Sequence, residues 1–393
     1  MNQPGKAENL FLNKNLQIVF LVTLMSVLGV ASITPALPKI AKHFEIATQD
    51  IGLLIIIFTL PGVFLTPVLG IIADRIGRKK VLIPSLLLFG VAGFACAFVQ
   101  SFEMLIVLRF LQGVGAASLG SLNVTIIGDL FEGRERASAM GFNASFIGIA
   151  TASYPFIGGI LAGIEWHFVF FMPVLAVPVA LLVIVKLDNP EPRNKQTLKM
   201  YLVNAFKSVK DKNALILFAA SIVTFIILYG SYLTYLPILL DKNFSAKPFT
   251  IGIVMSVMST VTAIVSSQLG RITGKIDTRR LLIFSFVFYG IALLLIPFAQ
   301  TIPFLIFVVI VYGIGHGLNI PSIQTMLSGI APLEYRAAFM SMNGMVLRLG
   351  QTLGPLIMGL LYVLGSQEMV FIGGACFAFL TVLPVTALKF SKK

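Results

Sequence analysis

The chain is poor in charge. Of its 393 residues only 11% are Asp, Glu, Lys or Arg, where soluble domains carry about 25%. So few charges cannot cover a water-soluble fold of this length, because much of such a surface has to stay polar. An ordinary cytosolic enzyme and a disordered chain are therefore excluded. Cysteine is scarce too: Cys96 and Cys376 are the two present. They lie inside apolar runs without C-x-x-C spacing, which excludes a secreted disulfide scaffold and predicts core packing rather than redox or metal chemistry. No metal site is expected. HExxH and GxSxG are absent and there are three histidines (His43, His167, His316), so an intramembrane enzyme is not expected. Without GxxxxGK[ST] there is no phosphate loop for ATP drive.

What is abundant is apolar sequence: 57% of residues, with a mean hydropathy of +0.95. The apolar residues form continuous runs rather than alternating ones, which excludes a β-barrel. Each run is long enough to cross a bilayer as a helix, at about 20 residues per crossing. Spans 1 to 6 are predicted at Leu16–Leu37, Ile51–Ala73, Val81–Val99, Met104–Gly128, Ala137–Ile164 and Phe168–Leu187. Spans 7 to 12 follow at Ala214–Leu240, Ile251–Ile272, Leu281–Ala299, Ile302–Leu327, Ala337–Leu364 and Val370–Phe390. The expected fold is an all-α membrane protein with twelve transmembrane helices in two pseudo-symmetric six-helix bundles. The N-terminal bundle is residues 1–187, a linker is 188–213, and the C-terminal bundle is 214–393. Met1–Asn15 lacks the pattern of a cleaved signal, so span 1 reads as a mature helix. In the linker, Leu198, Tyr201, Leu202, Ala205 and Val209 share one face with lysines elsewhere, which predicts an amphipathic helix on a lipid surface.

Net charge is +13, with a pI near 9.8, yet the positions of the cations argue against nucleic acid. Of 29 Lys and Arg, 23 fall on one set of loop ends, including Arg75, Arg78, Lys79, Lys80 and the linker lysines. Lys39, Lys42, Lys242 and Lys247 fall on the other. The asymmetry predicts that both termini are cytoplasmic. Arg109 and Arg348 lie within spans.

A shift of 200 residues overlays the halves. Gly70 falls on Gly270, Gly113 and Gly115 on Gly313 and Gly315, and Arg136, Asn143, Pro155 and Gly159 on Arg336, Asn343, Pro355 and Gly359. Six helices is an even offset, so the repeat is parallel, with its axis along the membrane normal. Two related halves around a cavity can rock to expose it alternately.

The loop after span 2 reads Gly70-Ile-Ile-Ala-Asp74-Arg75-Ile-Gly77-Arg78-Lys-Lys, one carboxylate among four cations in a glycine turn. Here the chain resembles the major facilitator superfamily, whose signature at this place is G-x-L-A-D-R-x-G-R-K/R; Ile72 stands for the Leu. Arg109-Phe-Leu-Gln112-Gly113-Val-Gly115-Ala-Ala in span 4 looks like the second family motif. In span 5, Pro155, Gly158 and Gly159 match part of the Gly-Pro motif of the twelve-helix drug–proton antiporters, with two earlier glycines replaced, and span 11 carries Gly350, Gly354, Pro355 and Gly359. In the second half Gly274 stands where Asp74 would map.

The resemblance implies a latch of Gly70, Asp74, Arg75, Gly77 and Arg78, with Asp129 as its relay partner, holding the halves together in the outward-open state. It implies pivots at Pro155, Gly158, Gly159, Gly354 and Pro355. It implies a secondary active transporter working by alternating access. The expected activity is proton-coupled efflux of amphiphilic small molecules or drugs, with transport of a single metabolite, sugar or lipid without strict proton coupling as the alternative. The protein is expected in the plasma (inner) membrane as a monomer among lipids, without nucleic-acid partners and with no cofactor beyond the proton gradient.

The residues add a charge argument. All sixteen carboxylates sit in loops or at helix ends. An Arg does not release its proton at working pH, so His316 is the internal candidate for proton coupling. Burying Arg109 costs about 2.5–3.5 kcal/mol on the insertion scale, so it should face the bundle interior or the cavity and hold a partner. Arg348 is twelve residues past Arg336, about 18 Å deep at ~1.5 Å per residue; that favours the cavity over snorkelling. Two arginines and no internal acid favour anionic, zwitterionic or neutral cargo. Candidate cavity groups are Gln112, Asn123, Asn143, Tyr154, Tyr229, Tyr232, Tyr235, Asn319, Gln324, Asn343 and Gln351. Each could instead make an interhelical hydrogen bond.

Overall fold

A computed structural model describes residues 10–188, 211–330 and 336–388. The amphipathic linker face expected at Leu198–Val209 lies outside the described residues. Those residues form helices and no strand. In a bilayer core every backbone N–H and C=O must be satisfied within its own segment, and the helix does this.

Twelve helices are long and apolar enough to cross a membrane. They are α1 Lys14–His43, α2 Asp50–Ile76, α3 Arg78–Phe98, α4 Phe102–Leu130, α5 Gly133–Ile164, α6 Trp166–Lys186, α7 Lys212–Phe244, α8 Pro248–Ser267, α9 Thr278–Phe298, α10 Ile302–Ile330 and α12 Gln367–Thr386, with α11 at Arg336–Leu364. Several run past the predicted apolar limits. α1 passes through a 3₁₀ turn at Thr34–Ala36 and continues as Leu37–His43, because a helix keeps bonding to itself where it leaves the oily layer. Polar caps mark the starts: Asn13 accepts from the amides of Asn15 and Leu16, and Asp211 does the same for Asn213 and Ala214. α7 is wound as a π-helix from Ile227 to Tyr235, which no sequence pattern announced.

The 200-residue repeat is visible in atomic contacts. A Cβ at position 115 would fall 2.8 Å from the Ser85 carbonyl oxygen, and one at 315 would fall 2.9 Å from that of Ser285. Asn143 Oδ1 accepts from Thr23 at 2.5 Å, and Asn343 Oδ1 from Ser221 at 3.3 Å. Two seams join the halves, α5 with α8 and α2 with α11. They too are related by the repeat: a Cβ at position 252 would collide with the Pro155 carbonyl oxygen, and one at position 52 would fall 3.1 Å from Pro355 Cβ. Gly159 joins the first seam, 2.6 Å from the Pro248 carbonyl oxygen by the same measure. Glycine allows this backbone approach in lipid, where packing rather than water drives helix association.

The two ends of these seams differ. On the face away from the chain ends, Lys42 pairs with Asp241 at 2.8 Å. Lys242 donates to Thr48 Oγ1 at 3.0 Å and Tyr362 Oη at 2.9 Å. On the face that carries the chain ends, positions Gly70, Gly141 and Gly344 would meet nothing within 4 Å. No ion pair crosses between halves there among the described residues. Polar contacts between the halves are thus found at the far mouth, and no ion pair joins them at the terminal one among the described residues. Lys42 has 69% of its side chain exposed, and such a pair contributes about 0.2–1 kcal/mol. The contact between the halves therefore rests mainly on the glycine seams.

Substituting Gly252→Val should disfavour this conformer by about 1–3 kcal/mol through overpacking, a shift of about 5- to 150-fold in the balance of states. The measurement is the distance between spin labels at the far ends of α5 and α8; an unchanged distance distribution would contradict the seam's role.

Candidate functional site

Four groups of polar side chains stand out in this apolar frame. The first is at the terminal end of α2 and α3. Gly77 breaks the chain there with φ +104°, a left-handed value that glycine adopts without strain. The turn sets Arg78 against two acids: its Nη1 pairs with Asp74 and its Nε with Asp129 Oδ2 at 3.0 Å. Arg78 is almost buried, while Arg75 is exposed. All three members of this triad belong to the first half, and none makes an ion pair with the second among the described residues.

The second group is Arg109, only 1% exposed. Nη1 donates to the Gly29 carbonyl at 2.9 Å and to Gln112 Oε1 at 2.8 Å, and Nε to the Leu54 carbonyl at 3.2 Å. The guanidinium lies 4.3 Å from the Phe58 ring centre, a cation–π distance. Arg109 thus ties α1, α2 and α4 together in the bundle interior, away from lipid and from the crevice. Its Nη2 and the Gln112 Nε2 have no hydrogen-bond partner among the described residues.

The third group is His316, 7% exposed. Its Nδ1 is hydrogen-bonded to the Tyr289 hydroxyl of α9. Tyr312 lies between Tyr289 and Tyr232, its ring centre 4.8 Å from each. The hydroxyls of Tyr232 and Tyr312 are buried without partners among the described residues. A histidine and three tyrosines from α7, α9 and α10 therefore form one aromatic column inside the second half.

The fourth group is at the α2–α11 seam. Arg348 Nη1 donates to Gln351 Oε1 at 3.0 Å, and its stem lies against Gly62. Thr59 and Thr352 share a hydrogen bond of 2.9 Å beside it. Arg348 is half-buried where α11 meets α2.

The structure divides the predicted cavity set. Asn123 donates to Thr23 at 2.7 Å and Asn143 accepts from it, so both knit α1, α4 and α5. Gln112 serves Arg109. Tyr154 donates to the Leu24 carbonyl at 3.1 Å. Asn319 accepts from Thr224 and donates to Ser285. The three tyrosines of α7 part company: Tyr229 lies within electrostatic reach of Arg348, Tyr232 stacks in the aromatic column, and Tyr235 stacks on Tyr362 at 5.6 Å. Asn319, Gln324 and Asn343 do line one cleft, with Ser221, Thr224 and Phe225. Of the expected pivots, Gly158 packs on the Ser32 carbonyl within the first half and Gly354 on Ile226 and Gly230 within the second, while Gly159 and Pro355 face the other half. Cys96 is buried as expected; Cys376 is exposed, since α12 turns that face outward. Sequence reading missed Gly52 and Gly252, which the 200-residue offset pairs, and the Lys42–Asp241 and Lys242–Tyr362 contacts, which it does not.

These elements define a polytopic membrane transporter built to open on one side at a time. The model of the Major Facilitator Superfamily matches residues 19–247 and 232–393, and the chain belongs to that superfamily. It is 27% identical over 357 residues to multidrug resistance protein 1 of Bacillus subtilis (strain 168), covering 89% of this chain and 90% of that one. It is 24% identical to the class B tetracycline resistance protein of Escherichia coli, covering 89% of each. Among solved structures, a bacterial homologue of the human lysosomal transporter Spinster, in an inward-facing and unoccupied conformation, superposes with a TM-score of 0.80 at 16% identity over all of both chains. The nucleoside transporter NupG gives 0.77 at 16% identity, over 96% of this chain and 99% of that one.

Arg109→Met should remove the side-chain bonds to the Gly29 and Leu54 carbonyls and leave the Gln112 amide oxygen without its donor, at about 1–3 kcal/mol in all. A fall in the thermal unfolding midpoint of about 1–4 °C is expected. Scanning fluorimetry of the purified protein checks it, and an unchanged midpoint would contradict the stapling role.

Proposed function

We propose that the protein exports amphiphilic small molecules across the inner membrane by alternating access, driven by the proton gradient, with both termini in the cytoplasm. The observation that carries this reading is the asymmetry of the seams: glycine contacts and lysine bridges join the halves at one mouth, while no ion pair joins them at the other among the described residues, and we read that one as open. The 23-to-4 division of basic loop residues supports a cytoplasmic position for the open mouth, where an exporter collects cargo. The relatives named for multidrug and tetracycline resistance support efflux, and the nucleoside transporter shares the fold alone.

In this reading the Asp74–Arg78–Asp129 triad is a latch in its released form, able to reach the second half once the cytoplasmic ends approach. His316 takes the proton. Tyr289 holds its Nδ1, and no carboxylate, lysine or arginine bonds to it among the described residues. A charge gained there has no counter-ion, so protonation changes what the second half tolerates next to it.

Two outcomes are expected. In a Cys376→Ser background, Lys42→Cys with Asp241→Cys should cross-link under oxidation and stop dye efflux from proteoliposomes, and a reductant should restore it. Efflux that continues through the cross-link would sink alternation at this mouth. His316→Gln should abolish acceleration by an imposed pH gradient while leaving downhill flux measurable; a variant that still responds to the gradient as the wild type does excludes His316 as the coupling group.

A further inference from the structure

Arg348 differs from every other cation in the described residues. It is deep in a span, it lies where α11 meets α2, and no carboxylate pairs with it. Arg109 shares the depth but is enclosed by carbonyls of its own bundle. Arg348 uses Nη1 for Gln351, while no acceptor among the described residues holds Nε or Nη2. Those two groups form the other edge of the guanidinium fork, whose spacing matches the two oxygens of a carboxylate, sulfonate or phosphate. The stem lies flat because position 62 is glycine: a Cβ there would fall 3.1 Å from Arg348 Cδ and 3.2 Å from Nε. The charge therefore sits on the seam, touched by both halves.

A narrow cleft of mixed polarity begins one residue away on α11. Leu347 precedes Arg348 and lines the cleft with Phe225, Ile320 and Ile323. The Phe225 ring lies 5.9 Å from that of Tyr229, which is within electrostatic reach of Arg348. The same cleft also carries Ser221, Thr224, Asn319, Gln324 and Asn343, so its lining is polar as well as apolar.

We infer that Arg348 is the recognition site for the anionic group of an amphiphilic substrate, held where α11 meets α2. The inference rests on the export reading and narrows its cargo to organic anions. An anion at Arg348 supplies the missing counter-charge at a point where the two halves meet, so its arrival is felt by both.

The test uses one aryl body with three charges: 1-naphthylacetate, 1-naphthylacetamide and (1-naphthylmethyl)trimethylammonium. Saturable binding to the full-length protein is measured in proteoliposomes of zwitterionic lipid, with and without phosphatidylglycerol. The acetate should bind at least about tenfold more tightly than the amide, the gain of about 1.4 kcal/mol that one charge-assisted pair supplies, and the ammonium should bind weakest. Arg348→Gln should erase the preference for the acetate while leaving amide binding intact, and Arg348→Lys should retain part of it. Equal loss of acetate and amide binding in Arg348→Gln, or a preference for the ammonium in the wild type, overturns the assignment. Acetate binding that weakens when phosphatidylglycerol is present overturns it in favour of a lipid headgroup site. Efflux of the amide or the ammonium without binding of the acetate would defeat this inference and leave the export reading standing; absence of efflux for all three would defeat the export reading instead.

Discussion

Backbone can touch backbone across this protein only where a side chain is missing, and the rest of the architecture follows from that constraint. In lipid there is no water to expel, so helices hold together by close fit and by polar bonds. Gly252 against Pro155 and Gly52 against Pro355 bring α8 onto α5 and α2 onto α11. The prolines lie inside helices and leave their own surroundings without a full set of backbone bonds, which suits a place that has to bend. Because the two contacts are copies related by the repeat, they sit as a pair across the same crevice. Closure at one mouth and separation at the other are then a single tilt of one half on the other.

The two intramembrane arginines show how the same residue type takes different work from its surroundings. Arg109 finds two carbonyls, an amide oxygen and an aromatic face, all inside one bundle. Its cost of burial is offset by bonds that knit three helices, so it acts as structure. Arg348 has one amide oxygen and a glycine floor, and half of its fork is left over. Surplus hydrogen-bonding capacity in a low-dielectric seam attracts an opposite charge more strongly than it would in water. The aromatic column around His316 is a third case, where hydroxyls without partners surround the one imidazole in the described membrane segments that lies in a bundle core.

Long-range conformational control is divided between weak and strong contacts. The exposed lysine bridges at the far mouth contribute little each and so can be given up when the halves rock. The glycine seams are specific in shape and add the fit. On the opposite side Arg78 is paired with both Asp74 and Asp129 inside its own half, so the proposed latch is held together within the first half.

Twelve spans, the repeat and the Asp74–Arg78 turn were legible in the amino-acid order, because they depend on local chemistry: apolar length, loop cations and glycine spacing. Depth marked Arg348, and depth together with the span 4 motif marked Arg109. Their different fates were not legible, since the partners of Arg109 are backbone carbonyls, which leave no trace in residue identity. The eleven candidate cavity groups read alike as polar residues in oil; packing sorted them, giving Asn123 and Asn143 to interhelical bonds and Tyr229 to the seam. The π-winding of α7 turned its three tyrosines to three different neighbours. Lys42 and Asp241 stand 199 positions apart with nothing in either segment to announce the other. Sequence by itself determined that this chain must cross a membrane as two related sets of helices, because burial of apolar length is a local demand. Only the tertiary structure decided which charges are enclosed, which remain open and at which mouth the halves are bridged, because those depend on atoms brought together from distant parts of the chain.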